Sequence, residues 1–310
     1  MKTLVLSMIS IAATLAAMTA CTSEGDPIDE VDVKVPIELN AGVLEISSKA
    51  VVNPGDAFEA QVIASETTKT YTTSLWTESG AGNISVDTDG KVSFNPIQYY
   101  PADGKTIYMI GYSPRATASN GKVAYTIQGD NDIMVSNEIS GSRTNKSSTG
   151  KELNFKHLLT QLQIKVIAAD KDAIDAWGDI TSIEVVDAST TVELDLTQGV
   201  LTETSSKTIA NVPVDYDFTT ALTLPNSAAS PTAEEAKPAG NVMVLPSDTK
   251  YQLLIKTEKN TDGITIDPSV VSTEASKAYE IKLTFKASNV DVTASVGQWE
   301  PVTGGTGTVE

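Results

Sequence analysis

His157 is the only imidazole in a chain of 310 residues, and it lies among apolar neighbours in Phe155-Lys156-His157-Leu158-Leu159. A Ser, His and Asp set for nucleophilic catalysis would have to run through it. Its setting reads instead as a packed or hydrogen-bonded structural histidine. Neither a G-x-S-x-G elbow nor a Walker A loop is present. Gly129-Asp130-Asn131-Asp132 offers oxygens to a hard cation but lacks the spaced Gly and terminal Glu of an EF-hand loop, so it reads as a solvated turn. Cys21 is the only cysteine, which excludes an intramolecular disulfide and, with a single histidine, a Cys/His metal centre. Any two of the 40 acidic residues could meet as a glycosidase pair, but no spacing selects two of them. Trp76, Trp177 and Trp299 could stack on sugar rings, although Trp at strand positions is more often core. The expectation is a protein with no catalytic residue, no metal and no cofactor, and therefore no enzyme.

Charge narrows the partners. With 40 acidic against 22 basic residues the formal net charge is −18, which opposes phosphate backbones and acidic membranes and excludes nucleic acid as a partner. The amino terminus supplies an address. Lys2 precedes a short apolar stretch over residues 4–17, followed by small residues, which is the pattern of a signal peptide over residues 1–20. The stretch is too short to span a bilayer stably. Met18-Thr19-Ala20-Cys21 resembles a lipobox, in which Cys21 receives diacylglycerol. Residues 21–32 then carry Glu24, Asp26, Asp29, Glu30 and Asp32 with Gly25 and Pro27, a polar tether that does not fold alone. An acidic stretch directly after a lipidated cysteine is similar to an export signal for the outer face of the outer membrane.

The elements beyond the tether are strands. The apolar residues are mostly Val, Ile, Leu and Ala among many Thr and Ser, and only 5% of the chain is aromatic. Val31, Val33, Val35, Ile37 and Leu39 fall on every second residue and so share one face of a strand. Pro36 within it cannot donate to a ladder, which predicts an edge strand or one with a free side. After a break at Gly42, Leu44 and Ile46 resume the alternation up to Lys49. Further strands are predicted over residues 58–64, 70–76, 107–112, 123–127 and 133–135. Ile84 and Val86 should face Val92 and Phe94 across Asp87-Thr88-Asp89-Gly90. Pro101-Ala102-Asp103-Gly104 reads as a turn. Residues 141–151 are small, polar and basic and form the best linker candidate. A second series follows, with Leu162, Ile164 and Val166 alternating and strands over residues 183–186, 192–196, 242–245, 251–255, 281–285 and 290–296. Residues 170–177 read as a brief helix and residues 226–240 as an exposed loop. The fold class is all-β, two tandem antiparallel β-sandwich domains over residues 33–145 and 152–310, the second carrying a Gly-rich tail.

Several segments in order resemble the fimbrillin-like, or type V pilin, family of lipoproteins from anaerobic Gram-negative bacteria. They are the lipidated start, Ile46-Ser47-Ser48-Lys49-Ala50, Tyr99-Tyr100-Pro101-Ala102-Asp103-Gly104-Lys105 with Ile107-Tyr108-Met109-Ile110-Gly111-Tyr112-Ser113-Pro114 after it, residues 128–134, residues 153–162, and Gly297-Gln298-Trp299-Glu300. The resemblance spans nearly the whole chain after the signal peptide. It implies transthyretin-like sandwiches and a stalk, tip or anchor subunit of a pilus at the cell surface. It also implies cleavage by a trypsin-like protease after a basic residue, departure of the first strand, and refilling of the groove by a strand from another subunit. Lys49, followed by Ala50, is the matching position here, where the family often has Arg.

The residues agree with a removable strand, because an apolar-faced strand between soft polar stretches can leave and be replaced through main-chain hydrogen bonds. They agree equally with an ordinary permanent first strand in a subunit that is never processed. The candidate donor is the carboxy-terminal stretch, where Val290, Val292, Ala294 and Val296 alternate before Val302 and a flexible Gly-rich extension. The expected function is a fimbrial subunit anchored by lipid in the outer membrane. It would assemble with other pilin subunits by proteolysis-triggered donor-strand exchange and act in adhesion to a host or bacterial surface glycan or protein. The alternatives are a surface glycan-binding lipoprotein using Trp76 or Trp299 as stacking platforms, and a surface hydrolase with a carboxylate pair.

Overall fold

The computed structural model describes residues 34–44, 55–76, 82–146, 151–206, 208–229, 232, 234–248, 251–268 and 272–297. Cys21, Val31, Val33, Lys49, Ala50, Trp299 and Val302 lie outside the described residues.

In chain order the first strands are β1 (Asn40–Val43), β2 (Phe58–Ser65), β3 (Gly82–Val86), β4 (Val92–Asn95), β5 (Ile107–Ser113), β6 (Ala118–Ser119), β7 (Lys122–Thr126), β8 (Met134–Ser136), β9 (Ile139–Gly141) and β10 (Glu152–His157). They continue as β11 (Thr160–Ala168), helix α1 (Lys171–Trp177), β12 (Ile180–Ser189), β13 (Thr191–Asp195), β14 (Val200–Glu203) and β15 (Ile209–Pro213). The last are β16 (Lys237–Val244), β17 (Gln252–Thr257), β18 (Ile264–Ile266), β19 (Ala278–Phe285) and β20 (Val290–Gly297). The protein is all-β, as its Val, Ile and Thr content predicts.

The first sheet runs β1-β10-β8-β5-β2-β3-β4, with β9 also paired to β5. Three further sheets run β16-β11-β19-β20, β15-β12-β17-β18 and β14-β13-β7-β6. The first sheet packs over a core that includes Leu39, Val62, Ile84, Met109, Leu153 and Phe155. The sheets containing β11 and β12 enclose a second core with Leu162, Ile164, Val166, Ile183, Leu253 and Leu283. A third core joins Ile63, Tyr112 and Val135 from the first half to Leu159, Val192 and Met243 from the second. That seam contains a sheet made from both halves, because β7 pairs antiparallel with β13 from Thr191↔Thr126 to Asp195↔Lys122. Residues from Lys34 onward accordingly cluster as one unit.

Several local expectations meet a different outcome. Residues 70–76 form no strand: the Leu75 N–H turns back to Ala64 O (2.9 Å), and the entry to the segment is held by side-chain contacts. Glu138 accepts hydrogen bonds from Thr68 Oγ1 (2.6 Å), the Lys69 N–H (2.7 Å) and the Tyr71 hydroxyl. Residues 152–157 belong to the first sheet, since β10 lies between β1 and β8. The loop after residue 226 is shorter than expected, because β16 starts at Lys237. Pro238 is tolerated there on an edge strand. The brief helix does form, with Asp170 as its cap accepting from the Ala173 N–H at 2.9 Å and Gly178 ending it at φ 69°. Among the described residues no helix is long and apolar enough to cross a membrane.

Candidate strand-exchange site

The segment of residues 35–44 occupies a seat with partners on both sides. On one side the Tyr100 N–H donates to Val35 O (3.0 Å) and the Ile37 N–H to Gln98 O (2.9 Å). The Val92 N–H donates to Leu39 O (3.1 Å) and the Ala41 N–H to Gly90 O (2.8 Å). On the other side β1 pairs parallel with β10 from Asn40↔Glu152 to Val43↔Phe155, and the Leu44 N–H reaches Phe155 O at 2.8 Å. The segment therefore stitches the β4 end of the first sheet to its β10 end. Pro36 fits because it sits opposite Tyr99 at a bridge whose hydrogen bonds come from its neighbours, so its missing N–H leaves nothing unpaired.

Its side chains alternate from Val35 on, although the strand itself, β1, covers Asn40–Val43 and lies beyond the predicted span of residues 31–39. Ile37, Leu39, Ala41 and Val43 are buried and Val35 is partly buried, all against the first core. Gly42 does not break the alternation, and burial stays on the odd residues through Val43. Leu44 therefore lies in the opposite phase and is 46% exposed. Burying Ile37, Leu39 and Val43 contributes on the order of 5–9 kcal/mol, which is comparable with the net stability of a small domain.

The seat depends on a turn. Ile84 pairs with Phe94 and Val86 with Val92, as the sequence predicts. Asp87 Oδ1 accepts from the N–H of Asp89 (3.0 Å) and of Lys91 (2.8 Å), and Gly90 takes φ 78°. A Cβ on Gly90 would stand 2.7 Å from Ala41 O, so this glycine serves both the turn and the close approach of the segment. Sequence reasoning found the turn but not this contact, since nothing local links Gly90 to Ala41. Tyr100 also borders the seat. Its hydroxyl is buried and has no hydrogen-bond partner among the described residues, and burial first, then the charge of Glu38, raises its pKa.

The candidate donor sits elsewhere in the same chain. β20 pairs antiparallel with β19 from Ala278↔Gly297 to Phe285↔Val290 and forms the edge of its sheet. Val290, Val292 and Ala294 pack partly buried on the second core, while Val296, on the same face, is 71% exposed.

The residues weighed for chemistry are placed as follows. His157 Nδ1 lies 2.6 Å from Asp132 Oδ2, and both side chains are 3% exposed. Asp132 is thus not part of a solvated turn, because its carboxylate points inward to His157 while Asn131 holds the loop by accepting from the Gln128 N–H (2.9 Å). Among the described residues no group of His, Cys, Asp and Glu side chains could hold a metal ion. Trp76 is buried edge-on against Phe94, and so offers no face for stacking a sugar. Trp177 packs edge-on against Phe285 and donates its Nε1 hydrogen to Lys286 O at 2.7 Å.

The fold is all-β with a strand segment seated between two partners, and the comparisons place it among known proteins. Residues 47–299 match the model of the fimbrillin-like family, and the chain belongs to that family. Its fold is similar to that of a cell-adhesion candidate from Bacteroides uniformis, at 16% identity and a TM-score of 0.58, covering 88% of this chain and 100% of that one. A second cell-adhesion candidate, from Bacteroides ovatus, is similar at 17% identity and a TM-score of 0.58, covering 86% of this chain and 99% of that one. No curated protein matches the chain in sequence.

Proposed function

We propose that this protein is a non-enzymatic fimbrial subunit of the cell surface, that it is held at the outer membrane by lipid on Cys21, and that it joins its neighbours by strand exchange. A trypsin-like protease cuts between Lys49 and Ala50, the segment ending there leaves, and another subunit's carboxy-terminal strand takes the vacated seat. The carrying observation is the seat itself. Residues 35–44 are bonded on both flanks and buried on one face, so their loss exposes two unpaired strand edges and an apolar groove together.

The sizes of the side chains support β20 as donor. Ile37, Leu39, Ala41 and Val43 run large, large, small, large, and Val290, Val292, Ala294 and Val296 repeat that order in the same chain direction. A β20 strand leaving β19 would exchange a one-sided ladder for a two-sided one, and Val296 would gain a buried site it lacks in its own subunit.

The test is limited trypsin digestion followed by electron microscopy and size-exclusion chromatography. Cleavage after Lys49 should yield polymers, and Lys49→Ala should remain monomeric under the same protease. A clipped protein that stays monomeric and folded after release of the segment would sink strand exchange and leave a static surface subunit.

A further inference from the structure

A cleft of about 420 Å³ opens beside the end of β1, where the first sheet meets the turn between β13 and β14. Its volume falls within the range of small-ligand sites, roughly 300–1,000 Å³. Tyr71, Ile110 and Leu196 give it an apolar floor. Lys69, Lys156, Asn137, Asn154 and Gln198 stand at its rim.

The walls are fixed by hydrogen bonds that are already complete. Glu138 holds the loop carrying Lys69 through Thr68, the Lys69 N–H and the Tyr71 hydroxyl. Asp195 Oδ1 accepts from the N–H of Thr197 (2.8 Å) and of Gln198 (2.9 Å), and the Gly199 N–H donates to Asp195 O at 2.7 Å. Asn137 Oδ1 accepts from the Asn154 N–H at 2.6 Å. The backbone donors of Lys69, Asn154, Thr197, Gln198 and Gly199 are therefore spent, and an extended peptide finds no open ladder here. What remains is a ring of side-chain heads, two ammonium groups and several carboxamides, around an apolar floor.

The charge is specific. In a chain of net charge −18, Lys156 makes no ion pair among the described residues. Its Nζ lies 4.0 Å from where a Cβ on Gly199 would stand, so the ammonium leans across the cleft toward the β13–β14 turn. The one carboxylate in the lining, Glu138, is occupied by three donors and the nearby charge of Lys69.

We propose that this cleft binds an acidic saccharide, a sugar unit carrying a carboxylate. The carboxylate pairs with Lys156, and ring hydroxyls meet the heads of Asn137, Asn154 and Gln198 over the apolar floor. Lys156 gives the preference for an acidic over a neutral sugar, because a charge-assisted bond replaces a contact that a neutral ring cannot satisfy. The inference is independent of strand exchange, since no residue of the cleft other than Leu44 belongs to the segment that would leave.

Isothermal titration of the folded chain with digalacturonate and with 3′-sialyllactose tests it, with lactose as the neutral control. At least one acidic sugar should bind with one-to-one stoichiometry and at least about tenfold more tightly than lactose, a preference that weakens as salt rises. Lys156→Met keeps the alkyl stem and should lose about tenfold, and Gln198→Ala should lose less, both with unchanged thermal unfolding. The proposal is overturned if neither acidic sugar binds, if lactose binds equally, or if Lys156→Met binds as the parent does. Equal binding by a hexaglutamate peptide also overturns it, since the cleft would then be a general anion or peptide site.

Discussion

The segment of residues 35–44 and strand β20 are built from the same kind of sequence and bonded in different ways. Each alternates aliphatic and polar residues and each stands last in the strand order of its sheet. The first is hydrogen-bonded along both flanks and buries four consecutive inward side chains. The second is bonded along one flank, and its inward row ends in an exposed Val296. Alternation therefore marks a strand that can fill a groove without marking whether it does so in its own subunit. The difference lies in the neighbours, since residues 90–100 and β10 converge on the first segment from opposite sides whereas, among the described residues, only β19 pairs with β20.

The largest test of this contrast removes the whole first segment. Deleting residues 31–49 should abolish the monomeric fold or convert it to a polymer, visible by size-exclusion chromatography, while deleting residues 298–310 should leave a folded monomer. A stable monomer from the first deletion would show that the seat does not need filling.

Single substitutions sharpen it. Leu39→Ala should cost about 2–5 kcal/mol in denaturant unfolding, because it empties a fully enclosed site. Val292→Ala, on a partly buried strand, should cost clearly less, and equal losses would erase the distinction between the two edges. Gly90→Ala should follow at about 1–3 kcal/mol, since it forces a positive φ on alanine and drives a methyl group onto Ala41 O.

A pH effect should appear outside both edges, at Glu138. Burial raises its pKa, but the hydrogen bonds from Thr68, Tyr71 and the Lys69 N–H, with the Lys69 charge, outweigh that and hold it below the ordinary value of 4.5. A depressed carboxylate contributes stability above its unfolded value and loses it as pH falls through the folded one. The loop of residues 66–76 should therefore become protease-sensitive only below about pH 4.5, and Glu138→Gln should make it sensitive at neutral pH. The smallest effect expected is Val296→Ser, within about 0.5 kcal/mol on the monomer because the side chain is mostly in water. The same change should weaken any polymer.

The sequence alone determined the strand class, the odd-residue face of the first segment, the hairpin around Gly90 and the brief helix within residues 170–177. These follow from periods of two, from a glycine at a positive φ and from a cap within three residues, all of which act over short chain distances. It also carried the family, through motifs in order along the chain. Only the tertiary structure decided what covers each face. Residues 70–76 have strand composition, but Glu138, far along the chain, holds the Lys69 N–H and the Tyr71 hydroxyl at their entry, and they form no strand. Asp132 looked like a turn residue until His157, on the neighbouring β10 strand, drew it into the core. Both flanks of residues 35–44 come from segments about 50–65 and about 110 residues further on, and the cleft beside Leu44 is assembled from six separate stretches, Leu44 included. Such contacts depend on which strands become neighbours, a choice made by burying whole apolar faces together, which no local spacing encodes.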